Sequence, residues 1–240
     1  NDLGFERSTI LRKLSSLGHF FDFLVTENIL KDNPFSQISI PKKNSKLPIF
    51  LTNDQVDRLL ETAKNDDSIK GLRLFTMIEI LYATGIRVSE LVGLKLSSLY
   101  EKENFIFVTG KGNKERIIPL TFYAKEWMGK YLYQSRQILS NRKSSEQKYV
   151  FLSNNGKRLT RAAIWQSIKK YVNAAGITKT VSPHTFRHSF ATHLVDGGAN
   201  LIEIQKLLGH SDISTTEIYV HLSKEFIDSE YMKAFDKKKN

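Results

Sequence analysis

The sequence predicts a mainly α-helical protein carrying a small antiparallel β-sheet, and three observations predict it. Ile10, Leu14, Leu17, Phe21 and Leu24 alternate spacings of four and three, which makes one apolar stripe on a helix over 7–27. Two β-type runs, Asn104–Thr109 and Glu115–Pro119, flank Gly110-Lys-Gly-Asn-Lys114, the pattern of a hairpin. Helix start and stop signals punctuate most of the remainder, beginning with the capping-box spacing of Thr52 and Gln55.

Taken in order, the opening helix is followed by Asn33-Pro34, which breaks its periodicity, and by a basic stretch bracketed by Pro41 and Pro48. One helix with a short apolar follow-on is too little for an independent core, so residues 1–40 read as the surviving end of a helical domain and 41–50 as a linker. A helix starts at Thr52, and another spans about 71–84 and stops at Gly85, which suits a left-handed residue after a helix end. A short helix carries Arg87 to Leu91, the hairpin follows, and Tyr149–Leu152 reads as a third strand. Further helices are expected at about 160–174, 184–196 and 201–208, with Gly197, Gly198 and Gly209 as punctuation, then at 214–221 and 224–236. The tail Lys237–Asn240 is expected to fray.

Composition narrows the function. The 240 residues carry 36 Lys plus Arg against 25 acids, a net charge of +11, which favours a polyanionic partner. No apolar run approaches a spanning helix, the opening residues do not read as a signal peptide, and the setting is expected to be cytoplasmic. Cysteine is absent, which excludes disulfides and thiolate metal sites.

Five basic residues and one tyrosine stand in segments whose neighbours suit them for presentation at a site. Arg87 lies in Ala-Thr-Gly-Ile-Arg-Val-Ser-Glu-Leu (83–91), Lys111 in Gly-Lys-Gly-Asn-Lys-Glu-Arg (110–116), and His184 and Arg187 in His-Thr-Phe-Arg-His (184–188). His210 closes Leu-Gly-His (208–210), and Tyr219 closes Thr-Glu-Ile-Tyr (216–219). Together they suit a site that grips a phosphate, attacks it and protonates what leaves. Phe186, Phe190 and Leu194 recur every four residues as a buried edge, which leaves His184 and Arg187 together on a neighbouring face. Glu90, three residues after Arg87, can pair with a basic residue and fix its geometry, while Lys114 and Arg116 are expected at nucleic-acid phosphates or in solvent. Each segment alone has a plainer reading: a solvated basic helix, a histidine at a helix end, a surface ion pair, a charged turn, a packed tyrosine. His188 and His193 are assigned to packing.

Together the segments resemble the tyrosine recombinase, or phage integrase, superfamily, most of all its Xer chromosome-dimer resolution branch. The family's first arginine falls on Arg87 and its hairpin lysine on Lys111. Its His-x-x-Arg pair falls on His184 and Arg187, its Leu-Gly-His on His210 and its nucleophile on Tyr219. The resemblance covers about 51–223, the expected catalytic domain, and residues 5–50 look like the last part of the family's helical core-binding domain. Phe186 and Ile86 stand where leucine is common, and both remain large and apolar.

The resemblance implies a C-shaped clamp on duplex DNA, a homo- or hetero-tetramer on two sites, and a 224–240 segment that docks into a neighbouring protomer. It implies attack by Tyr219 to give a 3′-phosphotyrosine, donors from Arg87, Arg187, His184 and His210, and a proton from Lys111, with no metal, cofactor or ATP. A septal DNA translocase is a further partner suggested by the Xer branch. Alternatives are an integrase of a phage or mobile element, a non-catalytic DNA-binding module of the same fold, a type IB topoisomerase-like relaxase, and a metallohydrolase built on His184 and His188.

Overall fold

The computed structural model describes residues 5–36, 49–100, 102–110, 115–140 and 146–208. The hairpin tip at 111–114, most of the expected linker and the expected helices at 214–221 and 224–236 lie outside the described residues. The chain divides into two compact units, Asn1–Leu47 and Pro48–Asn240.

The first unit contains helix α1 (Arg7–Thr26), on the predicted span. Phe21 stacks on Phe35 with ring centroids 5.2 Å apart, and Asn33 Nδ2 donates to Gly18 O and Asp22 Oδ1, so the segment after the helix folds back on it. None of its residues whose exposure is described is buried.

The second unit is built around one helix. α2 (Asn53–Lys64) opens on the predicted capping box, with Thr52 and Gln55 satisfying each other's backbone N–H groups. It buries Val56, Leu59 and Ala63 against α3 (Ile69–Thr84). Every residue of α3 from Arg73 to Thr84 is buried, as expected of a helix that is apolar nearly all round. α3 ends at Gly85, whose φ of 61° is the left-handed conformation the sequence called for. α4 (Val88–Gly93) then leads into a three-stranded antiparallel sheet in the order β1 (Leu99–Tyr100), β2 (Phe105–Thr109), β3 (Glu115–Pro119).

The register of the sheet decides what its strands bury. Ile106 pairs with Ile118 and Val108 with Arg116, and these four residues are the buried ones. Arg116 therefore sits on the inward face, among apolar neighbours. The expected strand at Tyr149–Leu152 is absent; isolated bridges join Lys95 to Tyr149 and Leu152 to Arg158 instead. The cause is side-chain competition for its backbone. Arg136 Nε donates to the carbonyls of Tyr149 and Val150, and the Tyr131 hydroxyl donates to Val150 O and accepts from Leu152 N. Both side chains belong to a helical stretch that the sequence pattern did not reveal. It comprises α5 (Phe122–Lys130), a π-helical turn (Tyr131–Arg136) and α6 (Gln137–Ser140).

α7 (Arg161–Ala174), α8 (Pro183–Asp196) and α9 (Leu201–Leu208) follow, close to their predicted spans. α8 starts with Pro183 at its first turn and carries Phe186 into the main core. Phe190 and Leu194 join Ile204 and Leu208 of α9 in a second cluster. His193 is buried, with Nδ1 2.8 Å from the Tyr82 hydroxyl, so its assignment to packing holds.

Gly85 is required twice, by its φ and by its surroundings: a Cβ there would lie 2.5 Å from Phe190 Cδ1 and 2.8 Å from Leu208 Cδ2. Gly85→Ala is expected to lower the unfolding free energy by about 2–4 kcal/mol, the sum of a left-handed penalty and overpacking. Urea denaturation at pH 7 measures it; a loss well under about 1 kcal/mol means that this junction relaxes freely.

Candidate active site

Gly85 turns the chain out of α3, and two residues later Arg87 caps α4. The Arg87 N–H donates to Glu90 Oε2 at 2.7 Å, and its Nη1 donates to Glu90 Oε1 at 3.1 Å. Backbone and side chain of Arg87 are thus both held by one carboxylate, while about a third of the side chain, 35%, stays exposed.

Glu90 is held from the other side by Arg116. The two terminal nitrogens of Arg116 donate to Oε1 and Oε2 at 2.8 and 2.9 Å, a fork-to-fork pairing. Arg116 was expected at phosphates or in solvent, and the structure corrects this: the side chain is only 6% exposed. The period of two along β3 turns it inward with Ile118, and the Glu90 carboxylate there is what makes a buried guanidinium tolerable. Burial alone would raise the Glu90 pKa; hydrogen bonds from Arg116 and from the Arg87 backbone, with the charges of both arginines, outweigh it and hold the carboxyl below its usual range.

Arg187 comes from α8. Its Nη1 donates to Gly85 O at 2.7 Å and its Nη2 to Leu208 O at 2.6 Å, the carbonyl that ends α9. Two of five N–H donors are used in these bonds. Burial and then the nearby Arg87 charge push its pKa down to about 10, with Glu90 acting in the opposite sense. Arg187 remains charged at neutral pH. His184, one turn earlier, is exposed, and both residues line a groove of about 840 Å³ that also includes Thr185, His188, Ile204 and Leu208.

The structure therefore brings Arg87, Glu90, Arg116 and Arg187 into one electrostatic cluster, three cations around one anion, with His184 beside Arg187 on α8. The excess positive charge and the remaining donors suit an anionic ligand. Lys111, Lys114, His210 and Tyr219 lie outside the described residues. Among the described residues, no three of His, Cys, Asp and Glu cluster as a metal site, and no helix is long and apolar enough to cross a membrane.

The sequence profile described as the phage integrase family matches residues 49–225. The chain is 44% identical over 230 residues to the tyrosine recombinase XerD of Oceanobacillus iheyensis, covering 96% of this chain and 76% of that protein. Among solved structures it is similar to the XerA recombinase, with a TM-score of 0.61 and 29% identity over 95% of this chain and 76% of that one. It is also similar to the XerH site-specific recombinase bound to difH substrate in a pre-cleavage complex, with a TM-score of 0.61 and 25% identity over 84% of this chain and 58% of that one.

Glu90→Gln is expected to destabilise the fold by about 3 kcal/mol at pH 7, because Arg116 is left buried without its counter-charge. The Glu90 pKa is depressed on folding, so its contribution is full above the unfolded value of about 4.3 and fades as pH falls through the folded value. Urea titrations of both proteins at pH 7 and well below the unfolded carboxyl pKa of about 4.3 test this; an equal gap at both pH values counts against a charged Glu90.

Proposed function

The chain belongs to the phage integrase family of tyrosine recombinases, DNA strand-exchange enzymes, and within it we propose an Xer-type site-specific recombinase that resolves chromosome dimers. The observation that carries this reading is the arginine cluster around Glu90, with Arg187 fixed by backbone carbonyls beside it. The likeness to a recombinase solved with its substrate supports duplex DNA as the partner, with a tetramer on two sites and a septal translocase as finer parts of the same proposal. A cytoplasmic setting follows from a chromosomal substrate.

In the proposed reaction the phenol oxygen of Tyr219 attacks a DNA phosphorus. The bond to the 5′-bridging oxygen breaks, leaving a 3′-phosphotyrosine and a free 5′-hydroxyl. The phenol proton leaves to a basic group or water, and Lys111 supplies a proton to the departing oxygen. Negative charge grows on the non-bridging oxygens, where Arg87 and Arg187 present planar donor forks and His184 and His210 directional ones. Each preorganised donor contributes roughly 3 kcal/mol to the transition state. The phosphotyrosine ester retains the free energy of the broken bond, so a 5′-hydroxyl from a second duplex reverses the chemistry without ATP.

Two substitutions test the assignments. Tyr219→Phe is expected to bind the DNA site and form no covalent adduct; an SDS-stable protein–DNA band from that variant removes Tyr219 as nucleophile. Lys111→Ala is expected to cleave ordinary DNA about 100-fold more slowly or worse, and to recover on a substrate whose leaving 5′-oxygen is replaced by sulfur. A thiolate leaves without a proton, so absence of recovery assigns Lys111 to binding instead.

A further inference from the structure

We propose that Arg116 is a positioning residue which, through Glu90, locks the root of the β2–β3 hairpin to Arg87. The inference builds on the recombinase reading and adds a coupling between two parts of the site that come from separate elements. Arg87 is fixed at the start of α4, and Lys111 lies in the sequence between β2 and β3. The described contact that joins α4 to the root of β3 at this point is the Glu90–Arg116 pair.

The geometry is specific to positioning. Glu90 Oε1 accepts from Arg87 Nη1 and Arg116 Nη1, and Oε2 accepts from the Arg87 N–H and Arg116 Nη2. Each oxygen is shared between the two arginines, so a rotation of the carboxylate that loses one partner disturbs the other. Arg116 lies opposite Val108 in the ladder and shares the inward face with Ile106 and Ile118, a position where an apolar side chain would pack without desolvation cost. Its Nε–H has no acceptor among the described residues, a further cost of placing a guanidinium there. What an arginine adds at this position is a two-point hold on the carboxylate that orients Arg87.

The charged groups around Glu90 are Arg87 from α4, Arg116 from β3 and Arg187 from α8, and the groove beside it also contains Lys95, Glu115 and Arg158. Without Arg116, burial acts on Glu90 against one directly bonded arginine instead of two. Glu90 then takes up a proton at higher pH, and its grip on Arg87 weakens there.

Arg116→Met and Arg116→Lys in the whole chain provide the test, with two independent readouts. In the free protein, NMR follows solvent exchange of the Arg87 guanidinium and of the hairpin amides. Arg116→Met is expected to accelerate both by at least about tenfold while amides of α3 keep their rates, with Arg116→Lys in between. Loosened hairpin amides beside an unchanged Arg87 mean that Arg116 only staples the sheet, which overturns the proposal. If the methionine variant does not fold, the lysine variant carries the same comparison.

The second readout is single-turnover cleavage of a nicked duplex bearing the site recovered by sequencing DNA trapped on the unmodified protein. Arg116→Met is expected to cut about 100-fold more slowly, with binding changed by less than about threefold and the acidic limb of the pH profile moved upward. A loss confined to binding, or an unmoved acidic limb, also overturns the proposal. If the unmodified protein traps no DNA, the recombinase reading fails, while the NMR comparison still judges the coupling on its own.

Discussion

One buried carboxylate organises the site. Arg87, Arg116 and Arg187 converge from a helix start, a strand and another helix, and three guanidinium groups brought together in a partly buried site repel one another. Unit charges about 4 Å apart interact by about 4 kcal/mol at the effective dielectric constant of a protein surface. Glu90 makes the assembly tolerable, and its orientation is dictated by the four hydrogen bonds it accepts from Arg87 and Arg116. A single anion leaves the cluster with excess positive charge. The fold thus provides enough negative charge to build the site and too little to neutralise it, the condition under which a phosphate diester is drawn in.

Arg187 solves the same problem by other means. Its partners are the carbonyls of Gly85 and Leu208, at the C-terminal ends of α3 and α9, where helix carbonyls carry partial negative charge. Carbonyl dipoles orient a guanidinium without cancelling its charge. A carboxylate in their place would hold the arginine at least as firmly and compete with the phosphate for it. The lowered pKa, about 10, follows from that arrangement: burial and Arg87 act on a cation that, among the described residues, no carboxylate bonds directly. Gly85 belongs to this arrangement, because the tight turn that brings its carbonyl within reach of Arg187 also presses it against Phe190 and Leu208.

Much of this was legible in the sequence, and the failures have physical causes. The helix start at Thr52 and the helix stop at Gly85 carry local chemistry that needs no tertiary context, and both appear where expected. The inward face of α8 followed from the four-residue spacing of Phe186, Phe190 and Leu194. The helical run from Phe122 went unread because Phe122, Tyr123, Tyr133 and Ile138 are exposed, which blurs the apolar stripe that marks a helix. Tyr149–Leu152 has strand composition, yet its backbone is claimed by Tyr131 and Arg136, a tertiary event with no local trace. Arg116 is different, since the signal was present. Glu115–Pro119 reads as a strand, and alternation places residue 116 with Ile118 on one face. A charged residue among inward positions demands a counter-charge, and Glu90, three residues after Arg87, is a carboxylate able to supply it.

The described site residues also explain why so dispersed a set of motifs can act as one unit. α3 is enclosed by α2, α5 and α8, so the turn at its end has little freedom to move. Arg87 leaves that turn directly, and Arg187 is bonded to it. The two groups proposed to grip the phosphate therefore share one rigid reference, the Gly85 junction, although 100 residues of sequence lie roughly between them. Their spacing is set by core packing before DNA arrives, which is what electrostatic preorganisation requires. Arg187 carries the reference one step further, because Leu208 O, its second partner, ends the helix that leads into Gly209-His210. Arg187 thus ties the end of α3 to the end of α9 through one side chain, and in the proposed reaction the phosphate grip rests on both helix ends.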